Sequence, residues 1–123
     1  MLEDIVVNQP KIDAYIKYTP YLVAVDCIIF GFIEGELKLL IIKRVMDPCK
    51  GLWSLMGGFV GPGESMDEAA YRILFELTGL NNLKMNQLYT HGEIDRDPGA
   101  RVISTSYYTL IKMQDIDPDH VSI

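Results

Sequence analysis

Nowhere in this sequence do lysine and arginine gather into a patch. Eleven basic residues stand against seventeen acidic ones, for a net charge of −6, and the densest basic spots are Lys43 with Arg44 and Arg96 with Arg101. Affinity for nucleic acid rests on clustered cations that neutralise phosphates. A DNA-binding surface is therefore not expected within these residues, and any contact with DNA would need chain outside them. Cysteine is scarce as well. Cys27 and Cys49 fit neither a metal-ligand spacing nor a disulfide framework. Cys27 lies in an apolar run and reads as a buried small hydrophobe, while Cys49, between Pro48 and Lys50, reads as an exposed loop thiol. A long apolar run is missing too. "YLVAVDCIIFGFI" is broken by Asp26 and is too short to span a bilayer, and the opening "MLEDIVVNQPKID" has no basic segment followed by an apolar one. Free thiols and no export signal lead us to expect a cytoplasmic protein without a membrane partner.

The 123 residues are 49% hydrophobic and 23% charged, enough for one packed domain and too apolar for a disordered chain. Residues 1–20 show no sustained period and end in Thr19-Pro20, so they read as a lead-in arm. Residues 21–33 are rich in β-branched and aromatic side chains and predict a strand. Glu34 to Glu36 form a turn, and "LKLLIIKRV" is expected to return as one second strand. "MDPCKG" is a punctuated loop, and "LWSLMGGFV" a short strand running into glycines. A helix start follows. Ser65 and Glu68 make the S-x-x-E capping box; Glu64, Asp67 and Glu68 set negative charge at the positive end of the helix dipole; Gly79 is a stop. Strands are expected at 88–92 and 102–111, separated by the turn "DRDPGAR", and the last residues carry no closing helix. The order β, β, β, α, β, β predicts an α+β fold: a mixed sheet with one buried central helix.

One run carries a family resemblance. From Gly58 the spacing is five residues to Glu64, seven to Arg72, then Glu76, Gly79 and Leu80. It resembles the Nudix box, G-x5-E-x7-R-E-U-x-E-E-x-G-U with U aliphatic, and "GLWSLMGGFV" is similar to the family's approach to that box, with Met56 where proline is usual. The resemblance implies a Nudix-like fold. It also implies hydrolysis of nucleoside diphosphates by Mg²⁺ or Mn²⁺ held on helix carboxylates at i, i+3 and i+4, a spacing that puts them on one face. In this sequence those positions are Ile73, Glu76 and Leu77. At roughly 100° per residue, Met66, Ala69, Ala70, Ile73, Leu74 and Leu77 share one arc, with Ile73 and Leu77 near its middle, so packed core is expected where a metal would sit. Glu68, Arg72 and Glu76 follow at i, i+4 spacing, suited to mutual ion pairing. Glu64 reads equally as helix N-terminal charge or as an acid close to the site. On this reading the box is degenerate, no catalytic residue is assigned, and Mg²⁺ is needed only if the chain is a hydrolase after all.

Two further segments, "VDCIIFG" and "GEIDRDPGARVISTSYYTL", look like the Nudix-related transcriptional regulators, most of all the arabinose-responsive members. In those proteins a Nudix-like domain senses a small molecule and a C-terminal winged helix binds DNA. The resemblance implies an N-terminal arm over residues 1–20 and an effector-binding domain over 21–123, truncated at its C-terminus and lacking the winged helix. It implies a sugar effector such as L-arabinose, or an ADP-ribose-like nucleotide as other members sense, DNA contact only through the absent domain, and a homodimer.

A sugar pocket needs a few placed polar groups in a mainly apolar cleft. The candidates are Asp26, Lys43, Trp53, Glu76, Asp95, Arg96, Arg101 and Tyr107. All but Lys43 have a plainer alternative. Asp26 breaks an apolar strand and needs a partner of some kind; a tryptophan such as Trp53 is more often core. Asp95 and Arg96 can fix their own turn. Arg101 suits a ligand clamp or a surface pair. Tyr107 and Tyr108 point to opposite faces, so at most one lines a pocket. Glu76 suits a partner for Arg72. His91 and His120 have no cluster around them. Three functions remain open: a catalytically silent sensor, a divergent hydrolase using Glu64, Glu76 and Glu93, and a dimerisation scaffold.

Overall fold

The computed structural model describes residues 13–44, 50–81 and 83–112. Most of the lead-in arm, the Cys49 thiol, His120 and the C-terminal stretch expected to lack a helix lie outside the described residues. The core is built on two long strands, β1 (Leu22–Ile33) and β7 (Val102–Lys112), which run parallel side by side from Leu22 opposite Val102 to Phe32 opposite Lys112. β6 (Asn86–His91) flanks β7 antiparallel, with a bulge between Gln87 and Tyr89. The other edge of β1 is shared. Its second half pairs with β2 (Glu36–Leu39), and its first half with β5 (Met56–Phe59), both antiparallel.

That shared edge corrects one expectation. Residues 37–45 do not form a single strand. Leu40 is buried and its amide donates to Ile29 O at 2.9 Å, after which the chain leaves the sheet because β5 holds the rest of the edge. Ile42–Lys43 then form β3, which among the described residues pairs with β4 (Trp53–Ser54) in a separate two-stranded ribbon. The stretch 52–60 is likewise divided, at Leu55, between ribbon and main sheet.

The helix α1 (Met66–Thr78) forms as the sequence implied. Ser65 Oγ accepts from the Glu68 amide, Glu68 Oε1 accepts from the Ser65 amide, and Gly79 closes the helix at φ 76°. Period-2 alternation sorts the sheet into two faces. On one face Val25, Cys27, Ile29, Met56, Tyr107 and Ile111 pack with Ala69, Ala70, Ile73 and Leu74 of α1 into one core. The two adjacent alanines let the helix approach the sheet closely. Burial pushes the Cys27 thiol up to about 12, helped by the nearby Asp26 charge. The opposite face carries Ala24, Asp26, Gly57, Phe59 and Ser104, residues that alternate with or pair across from the core set.

Candidate functional site

Two places invite attention: the helix that ends the glycine loop, and the sheet face behind it. At the helix, Arg72 is committed to the loop. Its Nε donates to both Glu64 oxygens at 3.2 and 3.0 Å, its Nη2 to Glu64 Oε1 at 2.7 Å and to Phe59 O at 3.0 Å. The Gly61 amide also donates to Glu64 Oε1 at 2.9 Å. These bonds, Arg72 foremost, hold the Glu64 carboxyl down at about 2. Arg72 meets Glu76 too, at 3.5 Å, but this is the looser contact and Glu76 is more than half exposed. The i, i+4 expectation thus found the secondary partner and missed the principal one, which lies eight residues upstream. Glu68 is occupied by the capping box.

Ile73 is buried, and its Cδ1 would lie 3.0 Å from a β-carbon on Gly58. The helix therefore presses a branched hydrocarbon into the hollow beside the glycine loop. Leu77 packs against the same core. A divalent cation requires several oxygen ligands, and these residues do not fit one: of positions 73, 76 and 77 only Glu76 is a carboxylate, Glu64 is spent on Arg72, and Glu68 on the capping box. Among the described residues no three His, Cys, Asp or Glu side chains come together as a metal site.

Behind the sheet lies a cleft of about 660 Å³. Its floor is made by Ala24 and Asp26 of β1, Gly57 to Phe59 of β5, and Val102 and Ser104 of β7; its walls are the β3–β4 ribbon, with Arg44, Leu52 and Trp53, and the loop residues Arg96 to Pro98. An apolar lobe of about 460 Å³ adjoins it, sharing Phe59, Asp97, Pro98 and Val102 and adding Leu22, Gly99 and Ala100. Asp26 supplies the polar centre. Its Oδ2 accepts from Ser104 Oγ at 2.8 Å and lies 3.9 Å from Arg96 Nη2, with both charged side chains about a third exposed. Asp97 Oδ1 accepts from the Gly99 amide at 2.7 Å, which fixes the loop that carries Arg96.

Of the eight residues singled out by sequence, the structure brings Asp26, Trp53 and Arg96 together in this cleft. Trp53 is 52% exposed, so it is not core. Lys43 sits beside Trp53 on the ribbon but outside the lining, and Asp95 is exposed in its turn. Arg101 lies with its guanidinium 5.0 Å from the Tyr21 ring centre and donates to Gly92 O at 3.3 Å, tying the loop at its base. Tyr107 is on the helix face, fully buried. Its hydroxyl donates to Asp67 and accepts from Gln87 Nε2, and burial, then Asp67, pushes it up to about 12. Glu76 is on the outer side of α1. Sequence reasoning did not weigh Arg44, Gly57, Phe59, Asp97 or Ser104. The serine sits in the "RVIS" strand start, yet only the parallel register of β1 and β7 reveals that it reaches Asp26.

A mixed sheet backed by a helix that a glycine loop leads into defines a Nudix-type domain. The chain belongs to the Nudix family: the family model described as NUDIX domain matches residues 20–121. It is 45% identical over 91 residues to an ADP-ribose pyrophosphatase of Methanocaldococcus jannaschii, covering 72% of this chain and 52% of that protein. It is 33% identical over 99 residues to the ADPR responsive transcriptional repressor NtrR of Acinetobacter baylyi, covering 79% and 40%. The chain thus spans about half the length or less of these curated relatives. Among solved structures, the NUDIX domain of Shewanella oneidensis NrtR complexed with ADP ribose superimposes with a TM-score of 0.73 at 29% identity, covering 89% of this chain and 78% of that one. Among the described residues no helix is long and apolar enough to cross a membrane.

Proposed function

We propose that this chain is a ligand-sensing Nudix domain that holds an ADP-ribose-like nucleoside diphosphate without hydrolysing it, as the effector-binding part of a transcriptional regulator. The observation that carries the reading is the contrast between its two sites. The helix face that would carry a metal is packed with Ile73 and Leu77, whereas the sheet face keeps a roomy cleft with both signs of charge. Arg44 and Arg96 suit an anionic diphosphate, Asp26 and Ser104 suit sugar hydroxyls, and Trp53 and Phe59 offer aromatic surface. The relatives named for ADP-ribose support the same ligand class. L-arabinose, the effector implied by the sequence resemblance, is the less favoured ligand: a pentose leaves most of the cleft of about 660 Å³ unfilled. DNA contact, on this reading, belongs to chain outside these residues.

Titration calorimetry and thermal melts test the proposal. ADP-ribose at about a hundred times its dissociation constant should stabilise the domain by about 2.7 kcal/mol, with or without Mg²⁺. L-arabinose should add far less. Mn²⁺-dependent cleavage of ADP-ribose that Glu76→Gln abolishes would replace this reading with the hydrolase. Stabilisation by neither ligand would leave the scaffold.

A further inference from the structure

The two oxygens of Asp26 have different surroundings. Oδ2 is held by Ser104 and lies on the Arg96 side, whereas Oδ1 makes no hydrogen bond among the described residues. Oδ1 instead lies against Gly57, its antiparallel partner on β5, where a β-carbon would collide with it and would also come within 2.8 Å of Val25 O. Glycine at 57 is therefore what lets this carboxylate lie flat over β5 on the cleft floor. A carboxylate in an otherwise apolar strand is costly unless its lone pairs are used, and Ser104 with a loose Arg96 contact uses only part of them.

We infer that Asp26 is the specificity-determining residue of the cleft, its free Oδ1 accepting hydrogen bonds from a vicinal diol of the ligand. This deepens, and rests on, the ADP-ribose-like reading proposed above. The division of labour follows from charge. An anion cannot sit against Oδ1, so the diphosphate lies toward Arg44 and Arg96, and the hydroxyls of one ribose lie over Gly57. Ser104 acts as a positioning residue, holding the carboxylate in the orientation that exposes Oδ1.

The test is titration calorimetry of the chain with ADP-ribose and with two analogues, each lacking the vicinal hydroxyls of one ribose. Wild type should bind one analogue about ten- to a hundredfold more weakly than ADP-ribose, as fits the loss of hydrogen bonds to a charged acceptor. Asp26→Asn should lose that discrimination, binding ADP-ribose and the sensitive analogue within about a factor of three of each other. Ser104→Ala should weaken the discrimination without removing it, and it carries the test if Asp26→Asn fails to fold. General damage to the domain would lower all three affinities together and leave their ratio unchanged. Wild type binding both analogues as well as ADP-ribose, or Asp26→Asn retaining the wild-type ratio, would overturn the assignment while leaving the proposed function standing. Failure of wild type to bind ADP-ribose at all would remove both.

Discussion

Ile73 and Arg72 are adjacent in sequence and do opposite things. Arg72 turns out of the core to hold the glycine loop by Glu64 and the Phe59 carbonyl, and Ile73 turns in and fills the space behind that loop. Replacing Ile73 with glutamate, the residue the Nudix pattern has there, should not recreate a metal site. It should place a carboxylate among hydrocarbon and lower the unfolding free energy by about 2–4 kcal/mol, measured by urea denaturation. Glu64 makes a different demand. Its carboxyl sits at about 2 in the folded protein against an ordinary 4.5. A group whose folded pKa is depressed stabilises the fold above its unfolded pKa and loses that contribution as pH falls toward the folded one. Stability should therefore fall between about pH 4.5 and 2, and Glu64→Gln should be less stable at neutral pH and flatter across that window in denaturation followed by circular dichroism.

Among the elements, those with local causes were legible in the sequence. The capping box of α1 and its glycine stop are short-range hydrogen-bond arrangements, and both are present where the residues placed them. Ser65→Ala should lower stability by about 1 kcal/mol. The β1–β2 turn is equally local: Ile33 pairs with Glu36, and both turn residues have positive φ, 51° at Glu34 and 79° at Gly35. Such two-residue turns favour Asn-Gly, so Glu34→Asn should raise stability by about 0.5–1 kcal/mol in the same denaturation assay. What the sequence did not disclose was competition between distant segments for one edge. "LKLLIIKRV" has the composition of a single strand, but β5, arriving from residues 56–59, claims half of the β1 edge and the chain must divide. The same limit explains Arg72. Its i+4 partner can be read from helix geometry, while Glu64 becomes its main partner only because the loop before α1 folds back along the helix.

For the whole molecule, the family was legible because the box spacing is long and specific, and the core arc on α1 was legible from its period. The cleft was legible in part. Asp26 is conspicuous as a charge in an apolar strand, and the "DRDP" turn as a loop with built-in hydrogen bonding. Ser104, Gly57 and Phe59 come to the Asp26 face of the sheet only through the parallel β1–β7 and antiparallel β1–β5 pairings, Gly57 opposite Asp26 and the other two opposite Ala24. Tyr107 shows the reverse: it belongs to the strand that lines the cleft, but strand alternation sends it to the opposite face, under α1. The proposed division, with one face of this domain binding a ligand and the other no longer catalysing, is open to a spectroscopic test. The measurement is phosphorus NMR of the chain with excess ADP-ribose and Mn²⁺, run on a sample shown by calorimetry to bind the ligand. The expected spectrum keeps the diphosphate signals unchanged over hours. Growth of phosphomonoester signals at a rate that scales with the amount of this chain would make the domain a working hydrolase instead.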